Sequence, residues 1–190
     1  TDDSNLFGLI KFYRAAEGAG IKPIVGADLW LESRFIADPA PVCVLVRNEQ
    51  GYQNLVLLIS RAWQHNQQRG KALIKREWLA ELNDGLIVLS AEFSQWFPDS
   101  FYLEVQRTSR PGDENCLHAS VDLASRLGLP VVATNDVRFL HQDDFYAHEA
   151  RVCIHDGAAI DDPRRPRRYS DQQYLKTSEE MQALFSDLPE

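Results

Sequence analysis

Short apolar segments alternate along the chain with segments of helical periodicity, and this alternation limits the fold more than any other feature of the sequence. Apolar runs such as "LIVLS" at 86–90 and "PVVATND" at 130–136 are typical of strands covered on both faces. The other predicted strands are 22–32, 41–48 and 101–107. Because helical segments separate most of these strands, we expect an α/β fold with a mainly parallel sheet, either a barrel or an open sheet.

The helical segments carry apolar residues three and four positions apart, together with start and stop signals. Leu55, Leu58, Ile59 and Ala62 share one face of the segment that begins at 51. Thr177 and Glu180 have the spacing of a capping box. The predicted helices are 6–20, with Ser4 as its cap, 51–66, 76–85, 113–128, 144–157 and 177–185.

The charge and the cysteines exclude several classes of protein. A formal net charge of -8 argues against a surface built mainly to bind a phosphate backbone. Cys43, Cys116 and Cys153 show neither CxxC spacing nor a disulfide framework, which indicates a reducing compartment. No segment approaches the length of a membrane span. We therefore expect a cytoplasmic protein that contacts no membrane.

The sequence also indicates a break and a boundary. The strand that ends at Ser90 is followed almost directly by "AEFSQWFPDSFYLEV", which leaves room for only the tail of a crossover helix. We infer that residues are missing between Ser90 and Ala91. Residues 161–170, "DDPRRPRRYS", form a connector rich in proline and arginine. We expect one domain over 1–160 and a linker with a final helix over 161–190.

The run "RRPRR" at 164–168 is the one basic patch in the sequence. One interpretation is contact with a phosphate backbone or with an acidic protein surface. The favoured interpretation is a solvated linker whose charge is partly offset by Asp161 and Asp162.

Polar side chains follow several of the predicted strands where each strand ends, and in parallel α/β folds such ends converge on one face. A multinuclear metal site for phosphoester cleavage needs bridging carboxylates and neutral imidazoles, and histidine is scarce at these positions. His148 is the best histidine candidate, but a packed or capping role is favoured. The candidates at strand ends are Asp2, Asp3, Asp28, residues 104–108, Asn135, Asp136 and Arg138.

Arg138 stands two residues after Asp136, and two interpretations stay open. A guanidinium is permanently protonated, so it can neutralise the carboxylate and fill the space that a cation would occupy. Alternatively, Arg138 points to solvent from a loop. In neither case can it be a metal ligand.

Several long blocks together resemble one known family, the PHP (polymerase and histidinol phosphatase) domain of bacterial replicative DNA polymerase III alpha subunits. The resemblance implies a distorted seven-stranded β/α barrel, incomplete at its N-terminus, with the 161–190 linker leading toward a polymerase core. The blocks, in chain order, are "NLFGLIKFYRAAEGAGIKPIVGADLWL", "GYQNLVLLISRAW", "GLPVVATNDVRFL", "AHEARVCIHDG", "IDDPRRPRRYS" and "YLKTSEEMQALF".

The resemblance also implies where metal ligands would stand in this sequence. Metal-binding members have Thr-Asp-His-Gly-Asn where this chain has "TDDSN", so Asp3 replaces a histidine. Asp28 takes the place of a glutamate, Thr108 of a histidine, and Asp136 with Arg138 of an Asp-x-His pair. We expect no bound metal and no catalytic residue in this part of the protein. The degenerate metal-site positions are Asp2, Asp3, Asp28, Thr108, Asp136, Arg138 and His148.

These departures imply a non-catalytic scaffold that docks the separate proofreading exonuclease, the epsilon subunit. The full-length parent would be a DNA-directed DNA polymerase, a nucleotidyltransferase, with Mg²⁺ at its palm beyond Glu190. It would meet DNA and the other replisome subunits through its remaining domains. The alternative is a metal-dependent phosphoesterase or proofreading nuclease that retains activity through Asp2, Asp28, Asp136 and His148.

Overall fold

The computed structural model describes residues 1–32, 39–68, 70–89, 97 and 100–188. The chain divides into two compact units, Thr1–Tyr102 and Leu103–Glu190. The predicted break between Ser90 and Ala91 lies outside the described residues. The predicted domain boundary after residue 160 stays a prediction.

The first unit is built on a mixed sheet in the order β4-β5-β2-β3-β6-β7, with β1 paired to β2. β3 is antiparallel to both β2 and β6, and β4 is antiparallel to β5. The other pairs in this unit, β1 with β2, β2 with β5, and β6 with β7, are parallel. The strands are β1 (Asp2–Asp3), β2 (Gly26–Leu31), β3 (Ala40–Val46), β4 (Gln67–Gln68), β5 (Lys71–Ile74), β6 (Leu86–Leu89) and β7 (Phe101–Gln106).

The prediction of a mainly parallel sheet is therefore wrong for this unit. The few residues between Leu31 and Ala40 are too short a connection for a crossover helix, so β3 returns antiparallel to β2. Side chains of β2 alternate between buried and half-buried, and Ala27, Leu29 and Leu31 lie in the core.

Three helices, α1 (Leu9–Gly18), α2 (Glu49–His65) and α3 (Arg76–Glu81), belong to the first unit. In α2 the predicted apolar face is confirmed, since Leu55, Leu58 and Ala62 are almost fully buried and Ile59 is half-buried. The predicted cap of α1 is wrong. The Ser4 amide donates to the Asp28 carbonyl oxygen at 2.8 Å and so continues the pairing of β1 with β2, and the helix begins only at Leu9.

In the second unit, the last four residues of β7 pair in parallel with β8 (Val131–Thr134). α4 (Asp113–Leu127) connects the two strands, so their carboxyl ends lie at the same edge. A short 3-10 helix, Gln142–Asp144, leads into α5 (Phe145–Asp156). α6 (Ser178–Leu184) starts with the predicted capping box of Thr177 and Glu180, which is confirmed.

The α/β class is confirmed, whereas the barrel is not. The described residues contain eight strands, against seven expected, and none of their pairings closes the strands into a barrel. No helix in the described part of the chain is long and apolar enough to cross a membrane.

Candidate functional site

The richest polar cluster of the second unit lies where β7 and β8 end. The loop after β7 carries Thr108 and Arg110, and the loop after β8 carries Asp136 and Arg138. The α4 crossover brings these two loops together, as the sequence predicted for strand ends of a parallel pair.

The Asp136 carboxylate is the centre of this cluster, and it is surrounded by donors. Its Oδ1 lies 2.6 Å from Nη2 of Arg138. Its Oδ2 accepts hydrogen bonds from Nη1 of Arg110 at 3.2 Å and from the side-chain amide of Gln173 at 2.8 Å. The Asp136 side chain is 19% exposed. Two permanent cations and one neutral amide therefore converge on a single, mostly buried carboxylate.

Arg110 ties the ends of the two strands to each other. Besides Asp136, its guanidinium donates to the Thr108 hydroxyl at 2.8 Å and to the Gln106 side-chain oxygen at 3.2 Å. The Arg110 side chain is 30% exposed, whereas Arg138 is 44% exposed. Arg110 is thus the more deeply embedded of the two cations.

Thr108 is fully buried and is held by Asp113, the first residue of α4. One carboxylate oxygen of Asp113 accepts from the Thr108 amide at 2.8 Å, from the Thr108 hydroxyl at 2.7 Å and from the Arg110 amide at 3.2 Å. Burial acts to raise the pKa of Asp113, but these hydrogen bonds and the charge of Arg110 outweigh it, so the pKa lies below its ordinary value.

His148 lies among aromatic rings on α5. Its ring meets Tyr169 edge-on, with 4.7 Å between centroids, and Phe139 at 5.5 Å. Its Nδ1 is buried without a hydrogen-bond partner among the described residues. Burial, and then the charge of Arg151, lower the pKa of His148. This environment fits the packed role favoured from the sequence.

The predicted positions of the first unit form their own cluster at β1 and β2. The Asp2 carboxylate accepts from the Gly8 amide at 2.7 Å, and Asp3 accepts from the Trp30 indole at 2.9 Å. Asp28 accepts from the Thr1 hydroxyl at 2.8 Å. Asp3 pairs with Asp28 across the two strands.

Within each unit the predicted residues come together only in part. In the first unit, Asp2, Asp3 and Asp28 lie on paired strands. In the second unit, Asp136 contacts Arg138 directly, and Arg110 links Asp136 to Thr108. Among the residues that the structure describes, no three His, Cys, Asp or Glu side chains are arranged to hold a metal ion.

Two residues of the cluster were missed by the sequence analysis. Arg110 lies just beyond residues 104–108, and counting polar residues further into the loop after β7 would have found it. Gln173 is fully buried and comes from a segment 37 positions after Asp136. No local signal marks such a residue, because its role depends on how the chain folds back.

The chain matches one protein-family model over its first half, and over its full length it is similar to several longer proteins. Residues 1–96 match the family model described as the PHP domain. The whole chain is similar to DNA polymerase III subunit alpha of Pseudomonas fluorescens and of Pseudomonas aeruginosa, each 53% identical over 214 residues. It is 50% identical over the same length to DNA polymerase III subunit alpha of Escherichia coli. The chain spans 18% of the length of each of these relatives.

Proposed function

Because the chain belongs to the PHP domain family, we propose that it is the PHP domain of a replicative DNA polymerase III alpha subunit and that it serves as a scaffold without catalysis of its own. The proposal rests on the names of its relatives, each matched along the full length of this chain. The polymerase activity, with Mg²⁺ at the palm, and the contacts with DNA belong to the longer parent protein.

The observation that carries the non-catalytic role is the pairing of Asp136 with two arginines. A divalent ion at this carboxylate would have to approach two guanidiniums that carry charge at every accessible pH. Neither arginine can act as a ligand, and both would repel the ion. The residues present here therefore do not fit a resident metal.

The other candidate ligands support the same proposal. A catalytic zinc site usually has three protein ligands and an open position. The carboxylates of Asp2 and Asp3 already accept hydrogen bonds from an amide and an indole, and His148 is packed against Phe139 and Tyr169. These groups do not offer the ligands that a metal-dependent phosphoesterase or nuclease would need.

The partner proposed for the scaffold is the proofreading exonuclease, the epsilon subunit. In a parent polymerase whose PHP domain does not hydrolyse phosphodiesters, proofreading would fall to another active site, and we propose that a docked exonuclease supplies it. The net charge of -8 fits a surface that meets protein better than one that meets DNA.

This partner can be tested with the 190-residue chain and the purified proofreading exonuclease subunit of Pseudomonas aeruginosa. We expect the two to elute as one complex in size-exclusion chromatography. A catalytically inactive phosphodiesterase of unrelated fold serves as the control and should elute separately. Separate elution of the exonuclease, with circular dichroism showing a folded chain, would contradict the docking role.

A further inference from the structure

The segment over residues 169–175 is paired with the loop that follows β8, although the sequence analysis placed it in a linker. The Arg138 amide donates to the Gln173 carbonyl oxygen at 2.8 Å. The Leu175 amide donates to the Phe139 carbonyl oxygen at 3.1 Å. We call this segment the strap, because it runs parallel to the loop like an added strand.

Two polar side chains hold the strap beside Asp136. Gln173 is fully buried, and its side-chain amide donates to the Asp136 carboxylate at 2.8 Å. The Asn135 side-chain amide donates to the Tyr174 carbonyl oxygen at 2.7 Å. In this position the strap supplies one of the donors that surround the Asp136 carboxylate, so its release would change the environment of that group.

His148 of α5 lies under the first residue of the strap, Tyr169. The two rings meet edge-on, with 4.7 Å between their centroids, and Phe139 packs against the same imidazole at 5.5 Å. The Nδ1 atom of His148 is buried without a hydrogen-bond partner within the described part of the chain. This atom can therefore reach water only when one of the covering rings moves.

The surroundings of His148 disfavour its protonated form. Burial, followed by the charge of Arg151, lowers the pKa of His148, and the carboxylate of Glu149 offsets this only in part. Arg138 lowers the pKa further, and its guanidinium already lies over the Tyr169 ring at 5.7 Å. An imidazolium would therefore bring a second cation to that ring. The charged and titratable groups that face His148 are Arg151 and Glu149 on α5, Arg138 in the loop after β8, and Tyr169 in the strap.

We propose that the strap is a latch that opens in acid: when His148 takes up a proton, Tyr169 leaves its ring and the strap separates from the loop after β8. An imidazolium donates hydrogen bonds from both nitrogens, and the closed arrangement offers Nδ1 no acceptor among the described residues. Water supplies that acceptor once the strap opens. Opening also withdraws Gln173 from the Asp136 carboxylate.

The direction and size of the pH effect follow from proton linkage. The pKa of His148 is lower in the closed arrangement than the value of about 6.5 for an imidazole in water. The closed arrangement is therefore favoured above about pH 6.5, and this advantage is lost as the pH falls below that value. Between about pH 7.5 and about pH 5.5 the open form gains up to about tenfold in population. Carboxyl groups ordinarily titrate near about pH 4, below this window.

Hydrogen–deuterium exchange of the full 190-residue chain, followed by mass spectrometry, tests the latch at these two pH values. Exchange rates are corrected for the intrinsic effect of pH on amide exchange. We expect the opening equilibrium of strap amides, such as that of Leu175, to rise by about threefold to tenfold at the lower pH. Amides of α4 should change by less than about twofold, because the opening is local.

Two variants of His148 assign the effect to its imidazole. His148→Phe keeps an aromatic ring and His148→Gln keeps a polar group, and neither side chain takes up a proton in this window. Both should abolish the acid-induced opening of the strap. The matched control is His118→Gln, at an exposed histidine of α4, which should respond like the wild type. Circular dichroism verifies that each variant is folded.

Three outcomes would overturn the proposal. One is equal protection of the strap at the two pH values in the wild type. Another is the same acid-induced opening in a folded His148→Phe or His148→Gln chain, which would assign the effect to other groups. The third is a parallel loss of protection in α4 and the strap, which would mean that acid unfolds the whole unit. If neither variant folds, the His148 imidazole followed by NMR in the wild type must titrate together with the opening, and unrelated midpoints would contradict the latch.

Discussion

Asp136 is held by two arginines that differ in how deeply they are embedded, and this difference can be measured. Arg138 is 44% exposed, and within the described part of the chain its guanidinium pairs with Asp136 and makes a cation-π contact with Tyr169. Arg110 is 30% exposed and also bonds Thr108 and Gln106. The two cations are therefore not equivalent partners of the carboxylate.

We expect Arg110→Ala to lower the free energy of unfolding by about 1–3 kcal/mol, because it leaves the buried Thr108 and Asp136 groups short of donors. Arg138→Ala should cost less than about 1 kcal/mol, since Arg110 and Gln173 still bond Asp136. Urea unfolding of both variants measures the two values. A larger loss for Arg138→Ala would mean that Arg138 is the main partner of the carboxylate.

Only part of the cluster around Asp136 could be predicted from the sequence. The pairing of Asp136 with Arg138 was one of two open interpretations, and the 2.6 Å contact confirms it. Arg110 could have been found as a polar residue of the loop after β7, but its contact with Asp136 could not, because the α4 crossover brings the two loops together. The spacing of residues along the chain predicts contacts within one loop, but it does not predict contacts between loops that follow different strands.

Among the structural elements, the loop between β7 and α4 is held by the Asp113 carboxylate. The free energy of unfolding should therefore depend on pH. The pKa of Asp113 is lowered in the folded chain, so its carboxylate stabilises the fold above its unfolded pKa of about 3.9. That stabilisation is lost as the pH falls through the lower, folded pKa. Asp113→Asn removes the contribution at all pH values.

We therefore expect the unfolding free energy of the wild type to fall more steeply than that of Asp113→Asn as the pH is lowered below about 4. Urea unfolding between neutral and acidic pH measures both curves. Asp122→Asn, at an exposed position of α4, is the control and should follow the wild type. Parallel curves for the wild type and Asp113→Asn would show that Asp113 does not hold the loop.

A second prediction concerns the ion pair of Arg165 with Glu149, which anchors the connector over 161–170 to α5. Glu149→Ala should lower the melting temperature, because it leaves the Arg165 guanidinium buried without its carboxylate. Replacing both residues by methionine should restore much of the loss, because no charge is then left unpaired. Differential scanning fluorimetry compares these variants with Glu179→Ala, at an exposed position of α6. Equal melting temperatures for Glu149→Ala and Glu179→Ala would show that the ion pair does not anchor the connector.

In the fold as a whole, the helices were predicted more accurately than the directions of the strands. The face of α2 and the capping box of α6 follow from residues close in sequence, and both are confirmed. The antiparallel placement of β3 follows from the short connection after β2, whereas the prediction was based on the apolar pattern of each strand, which does not encode strand direction. For the same reason, the alternation of strands and helices predicted the α/β class without showing whether the sheet closes.

The proposed function requires that arginine charge at Asp136 excludes a catalytic metal from this PHP domain. Metal content, measured by mass spectrometry after incubation with Zn²⁺ or Mn²⁺ and gel filtration, tests it most directly. We expect far less than one ion per chain, with no difference between the wild type and Asp136→Asn. One or more ions per chain that disappear in Asp136→Asn, together with hydrolysis of a phosphodiester, would contradict it.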